Sequence, residues 1–180
     1  MHRQFLLDKL KKHRPHDAEE EEMLKRIVQF VSDYPDCFKR ELDVGHITGS
    51  AWIVNLERSH VLLTHHKKLN RWLQLGGHSD GEPNTLSVAL KEGHEESGLQ
   101  VSPVSEAVFD VDVHLIPARK QEPAHYHYDV RFLLEADSQQ PFVVSDESHD
   151  LAWVALEALP DLVDERSLLR MLEKTQLLLT

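Results

Sequence analysis

The stretch from Leu75 to Leu99 constrains this chain more than any other. Its first part, Leu75-Gly76-Gly77-His78-Ser79-Asp80-Gly81-Glu82-Pro83, carries glycines at 76, 77 and 81. These allow a tight loop whose backbone can approach a ligand closely. The second part reads as a helix, with Asn84 expected as its N-cap and Gly98 as the residue that closes it. Leu86, Ala89, Leu90, Gly93 and Ser97 fall on one side of that helix, at spacings of three and four. Glu92, Glu95 and Glu96 cluster on another face. Carboxylates held that close repel one another, and a hard divalent cation such as Mg2+ removes the cost by taking oxygen ligands. An acidic helix face by itself is ordinary solvated surface. The glycine loop before it and the small residues beneath it favour a cation site.

The same residues carry a family resemblance. Counted from Gly77, the segment resembles the Nudix box, Gly-x5-Glu-x7-Arg-Glu-U-x-Glu-Glu-x-Gly-U with U aliphatic. Glu92, Glu95, Glu96 and Gly98 match, and Leu99 suits the final aliphatic position. Three positions depart. Pro83 stands for the first glutamate, with Glu82 one residue early; Lys91 stands for the arginine, and Gly93 for an aliphatic residue. Lysine keeps the charge but lacks the planar fork of arginine, and glycine costs roughly 1 kcal/mol of helix propensity relative to alanine. None of the three removes the Glu92/Glu95/Glu96 core. The resemblance extends over roughly Gly45 to Thr180, through the β-rich segments His46–Asn55 and Val61–Leu63, the Trp72–Gly77 approach and the Trp153–Val154 strand.

The resemblance implies an α/β fold, a Nudix-type α/β/α sandwich with a mixed β-sheet and a helical N-terminal extension, divided as 1–40 extension and 41–180 hydrolase domain. It implies water attacking a phosphorus of a diphosphate in a nucleoside diphosphate linked to another moiety. Mg2+, for which Mn2+ can substitute, is then expected on Glu92, Glu95 and Glu96, with the Gly77 carbonyl as a further ligand. Such a cation neutralises the diphosphate and lowers the pKa of the attacking water. Glu95, Glu96 and Glu147 are the candidates for accepting the proton, Glu147 from a polar loop before the last strand.

Substrate contacts are expected elsewhere. His125, His127 and Asp129 alternate, so in a strand they share one face, a site lining, a second metal position or an ordinary wet face. His65, His66, Lys67, Lys68 and Arg71 form a basic cluster beside Trp72; Lys67 could meet phosphate and Trp72 stack a base, unless the hairpin is simply exposed to water. His78 adjoins the glycine loop.

Composition bounds the remaining choices. A formal charge of −11 over 180 residues argues against a nucleic-acid duplex as partner, because that needs a basic face, but it leaves a small diphosphate substrate open. No apolar run is long enough to span a membrane. Cys37 is the only cysteine, so no internal disulfide forms and a cytoplasmic location is expected. Most of the 13 histidines, such as His2, His13 and His16, are expected as solvated surface. Asp17 is the expected N-cap of a helix whose first turn is acidic and whose Met23, Leu24, Ile27, Val28 and Val31 recur at helical spacing. The N-terminal helices are open to two roles, covering a cleft or forming a homodimer contact.

Two other functions compete. A non-catalytic nucleotide-binding regulator on the same fold would keep ligand binding without turnover. An enzyme similar to the isopentenyl-diphosphate isomerases would pair a cysteine with a glutamate, and only Cys37 could serve.

Overall fold

A computed structural model describes residues 2–119 and 122–179. Its spine is β1 (Gly45–Asn55), a strand buried along its whole length. Such a strand needs neighbours on both edges and layers on both faces. β7 (His125–Ala136) pairs with it in parallel, from Gly45 with Tyr126 to Asn55 with Ala136. On the other edge the partner changes. β4 (Leu75–His78) takes Thr48 to Ala51, and β2 (His60–His66) takes Ile53 and Val54. The sheet therefore splays between β4 and β2. β3 (Arg71–Leu73) and β8 (Ser148–Ala155) flank β2, while β5 (Ser102–Pro103) and β6 (Asp110–Ile116) flank β7, giving eight strands in one mixed sheet.

Alternation along β1 assigns its two faces. Ile47, Ala51 and Ile53 join one apolar cluster with α1 (His2–Lys12), α2 (Ala18–Asp33) and α3 (Thr85–Ser97). Trp52 and Val54 join the other, beneath α4 (Leu159–Leu162) and α5 (Arg166–Leu177). The expected α/β/α layering and N-terminal helices are what the chain adopts. On the second face β1 is apolar only in its later half. His46, Thr48 and Ser50, on the same side as Trp52, are polar and buried.

Asp17 caps α2 as expected, its Oδ1 accepting the Glu20 N–H at 2.8 Å. Leu6, Leu10, Ile27, Phe30 and Val31 pack into the first core, and Phe30 stacks on Tyr128 with ring centroids 3.8 Å apart. At the β6 edge the helices are locked by buried charge. Glu20 accepts from His13 and Lys174, while Asp110 accepts from Arg170 at 2.8 Å, Lys174 at 2.8 Å and Arg131 at 3.3 Å. Each such charge is costly alone and tolerable only when fully paired. His13, expected on the surface, is thus buried. β6 begins at Asp110, after a local turn in which Ser105 Oγ takes the Ala107 N–H. Among the described residues no helix is long and apolar enough to cross a membrane.

Candidate active site

α3 starts and stops where its sequence dictates. Asn84 Oδ1 accepts the Ser87 N–H, and Gly98, at φ 72°, closes the helix in the left-handed conformation. Gly93 is the departure from the family pattern with a packing reason. A Cβ there would lie 3.3 Å from Ile53 Cδ1 and 3.6 Å from Ala51 Cβ, so a larger aliphatic side chain would push α3 off β1. Seated this closely, α3 brings two of its glutamates to β4, beside the splay. The Glu92 carboxylate lies on the open face of Gly77, where a Cβ would fall 2.5 Å from its Cδ. Oε2 of Glu96 accepts the Gly76 N–H at 3.3 Å. Glu95 points outward with its side chain 57% exposed, against 18% for Glu92. Lys91 Nζ stands 3.9 Å from Glu92 and 3.8 Å from Glu95, bridging them loosely as a point charge.

Burial first, and then the charge of Glu92, pushes the Glu96 carboxyl up to about 8, with Glu147 adding to it. Glu92 is also raised, by burial and by the charges of Glu95, Glu147 and Asp80, against the opposing pull of Lys91. Oxygen donors crowded until their charged forms are disfavoured, over a glycine that leaves room, fit a hard divalent cation. The charge of Glu147, in the exposed loop before β8 and far away in sequence, acts on both Glu92 and Glu96. That loop is tied to β2's end by Lys67, whose Nζ donates to the Asp146 carbonyl at 2.7 Å and whose N–H donates to the Glu147 carbonyl at 3.1 Å. Trp72, half-buried on β3, stacks on His65 at 5.2 Å.

Glu92 and Gly77 belong to the α3 side of the sheet; His78 belongs to the other. There it meets His127 at 5.1 Å and His46 at 4.8 Å between ring centroids. His125, two residues before His127 on β7, lies 5.0 Å from His46. His46 is the residue that sequence reasoning passed over as an ordinary strand position. The usable signal was its alternation with Thr48 and Ser50, three polar residues on one face of a buried strand. Burial, reinforced by neighbouring histidines, pushes His46 down to about 4 and His127 down to about 2, so both rings are neutral near pH 7. Asp129 sits beneath the lining, 1% exposed. Its Oδ1 accepts from Thr48 at 2.8 Å and Ser50 at 2.7 Å, and its Oδ2 from Arg131 at 2.7 Å and Gln74 at 3.3 Å.

The NUDIX domain family model matches residues 46–173, a span holding the glycine loop, α3 and Glu147. This chain belongs to the Nudix family. A curated relative, the probable DHNTP pyrophosphohydrolase of Lactococcus lactis subsp. cremoris (strain MG1363), is 30% identical over 127 residues, which is 68% of this chain and 74% of that protein. Among solved structures, a hydrolase of the NUDIX family from Clostridium perfringens is 27% identical, with a TM-score of 0.57 over 74% of this chain and 97% of that one. An Ap4A hydrolase from C. elegans shares the fold at 17% identity, with a TM-score of 0.59 over 74% and 96%. The protein is a Nudix-type pyrophosphohydrolase.

This Nudix hydrolase does not use the chemistry of the isomerase alternative. Cys37 is fully buried in the apolar cluster under α1 and α2, and burial pushes its thiol up to about 11. A thiol that stays protonated inside a core is inert.

Proposed function

We propose that this Nudix hydrolase cleaves a diphosphate bond in a nucleoside diphosphate linked to another moiety, with Mg2+, or Mn2+ in its place, held by Glu92, Glu95, Glu96 and the Gly77 carbonyl. The observation that carries this reading is the convergence of Glu92 and Glu96 on the Gly76-Gly77 backbone. When bound, the cation would neutralise the diphosphate and acidify the attacking water. The protein's own part is to hold that geometry and to receive the proton. Among the catalytic carboxylates Glu95, Glu96 and Glu147, we assign the proton to Glu147, because Glu96 is engaged at Gly76 whereas Glu147 is exposed and its charge acts on both Glu92 and Glu96. Lys67 positions the loop of Glu147 and carries a cation close to an anionic substrate. Trp72 offers aromatic surface to a base, and His78, His125 and His127 line the face beyond it. Asp129 contributes to substrate binding from beneath, by orienting Thr48, Ser50 and Gln74.

The named activities of the relatives, on DHNTP and Ap4A, support a phosphoanhydride substrate. We read residues 1–40 as an extension to a hydrolase domain of 41–180, with the described helices α1 and α2 packed on its sheet. These helices spend their apolar sides on the chain's own sheet, so a homodimer contact made by them would use their outer faces.

The test is phosphate and nucleotide release from a panel of nucleoside-diphosphate-linked compounds with Mg2+ or Mn2+, beside Glu95→Gln. Turnover that needs both the metal and Glu95 is expected. Silence across the panel, with nucleotides still raising the melting temperature, would favour the non-catalytic binding module.

A further inference from the structure

We propose that His46, His125 and His127 form a binding site for one transition-metal cation of the zinc class, separate from the carboxylates of α3. One potential ligand atom from each of the three rings lies within 4.8 Å of the others. The arrangement arises from strand register. His46 and His127 are direct partners in the parallel β1–β7 pair, so their side chains stand next to each other on one face. His125, two residues along β7, returns to that same face.

A second observation points to a ligand. His46 is only 3% exposed, yet neither of its ring nitrogens has a hydrogen-bond partner. His127 Nε2 is likewise buried without one. Buried polar atoms are nearly always satisfied, and each one left over requires an explanation such as an ion. Asp129, on the same face of β7, is by contrast fully paired, through four donors. Among the described residues the orphaned buried nitrogens are His46 Nδ1 and Nε2, His127 Nε2, Trp153 Nε1 and Arg170 Nη1, and the three on His46 and His127 alone lie side by side, at one register position.

His125 has a carbonyl partner on one ring nitrogen. Its Nδ1 lies 2.9 Å from the Pro123 carbonyl, which fixes the proton on Nδ1 and turns the Nε2 lone pair free. A hydrogen bond from the second ring nitrogen to a carbonyl is how metal-bound histidines are usually held. Zinc–nitrogen bonds of about 2.0–2.1 Å at tetrahedral angles separate donors by about 3.3 Å, so ligand atoms within 4.8 Å of one another need to close by at most about 1.5 Å. Imidazole suits zinc, nickel, copper and cobalt, whereas Mg2+ prefers oxygen. The two sites of the molecule are therefore separable by metal chemistry as well as by sheet face. Three protein ligands leave a fourth position for water or an anionic oxygen.

The experiment uses the full chain without a histidine tag, stripped of metal by a chelator and titrated with Co2+ and Zn2+ in excess Mg2+. We expect one Co2+ per chain with the visible absorption of a low-coordinate nitrogen site, displaced by Zn2+ and indifferent to Mg2+. Glu96→Gln should leave that spectrum unchanged. His125→Ala and His127→Ala should weaken binding by more than the about 10–100-fold that loss of an outer partner costs. Circular dichroism reports folding, and because His125 lies at the start of its strand, its variant decides the matter should His127→Ala unfold. No Co2+ binding in Mg2+ excess, binding that survives His125→Ala, or binding abolished by Glu96→Gln would each overturn the site.

Discussion

Gly77 and Glu92 occupy a contact that leaves no room for a side chain at 77, since a Cβ there would fall 2.5 Å from the Glu92 carboxyl carbon. The glycine is thus the floor of the acidic site. Gly77→Ala should displace the Glu92 carboxylate by about an ångström, and misplacement on that scale costs on the order of 100-fold in turnover. Because the flexible end of a side chain yields, and not backbone, the melting temperature should change little. Steady-state kinetics beside thermal unfolding would show the split; equal activity in both proteins would remove Gly77 from the site.

Glu96 and Glu92 repel each other in a half-buried setting. Glu96→Gln should therefore abolish Mg2+-dependent turnover and, without metal, raise the melting temperature above that of the parent. Mg2+ should stabilise the parent more than the variant. A variant that loses stability in chelator would contradict the electrostatic account.

Glu147 is the residue whose role depends most on its loop. Glu147→Gln should lower kcat with little change in KM, and should flatten the limb of the pH–rate profile that reports a general base. Lys67→Met, which loses the hold on the Asp146 carbonyl, should reproduce part of that loss. A Glu147→Gln enzyme with parental kcat would return the proton to Glu95 or Glu96.

The buried ion network predicts acid lability. Burial pushes Glu20 up, but hydrogen bonds from His13, Lys174 and the His16 N–H outweigh it and hold the carboxyl well below the usual range. Asp112, where burial is outweighed by the Arg131 guanidinium, is lowered to about 2. A carboxyl with a depressed folded pKa contributes stability above its unfolded pKa of about 4, and that stability is lost as pH falls through the folded value. Urea unfolding should thus show stability falling from about pH 4 downward. Glu20→Gln should cost about 3–5 kcal/mol at neutral pH and flatten the acid limb. An unchanged acid limb would exclude Glu20 as its source.

The N-terminal helices are part of the fold. Phe30→Ala removes the ring stacked on Tyr128 and should cost about 3–5 kcal/mol. A loss within about 0.5 kcal/mol, the range of surface changes, would show the extension to be loosely attached.

Much of this is legible in the amino-acid sequence. The caps of α2 and α3, the acidic face of α3 and the alternating face of β7 are local properties, set by hydrogen bonds and side-chain periodicity over a few residues. The sequence by itself therefore determined the family, the layering and the acidic face of α3; that Glu92 and Glu96 turn to β4 while Glu95 stays exposed came from the fold. The tertiary structure decided what meets across the sheet. Only the β1–β7 register sets His46 beside His127, and only the fold explains why glycine suits position 93. Lys67 is tied to the Glu147 loop through residues 79 and 80 positions away in the chain. Such pairings arise from packing between distant segments, which no periodicity in one segment encodes.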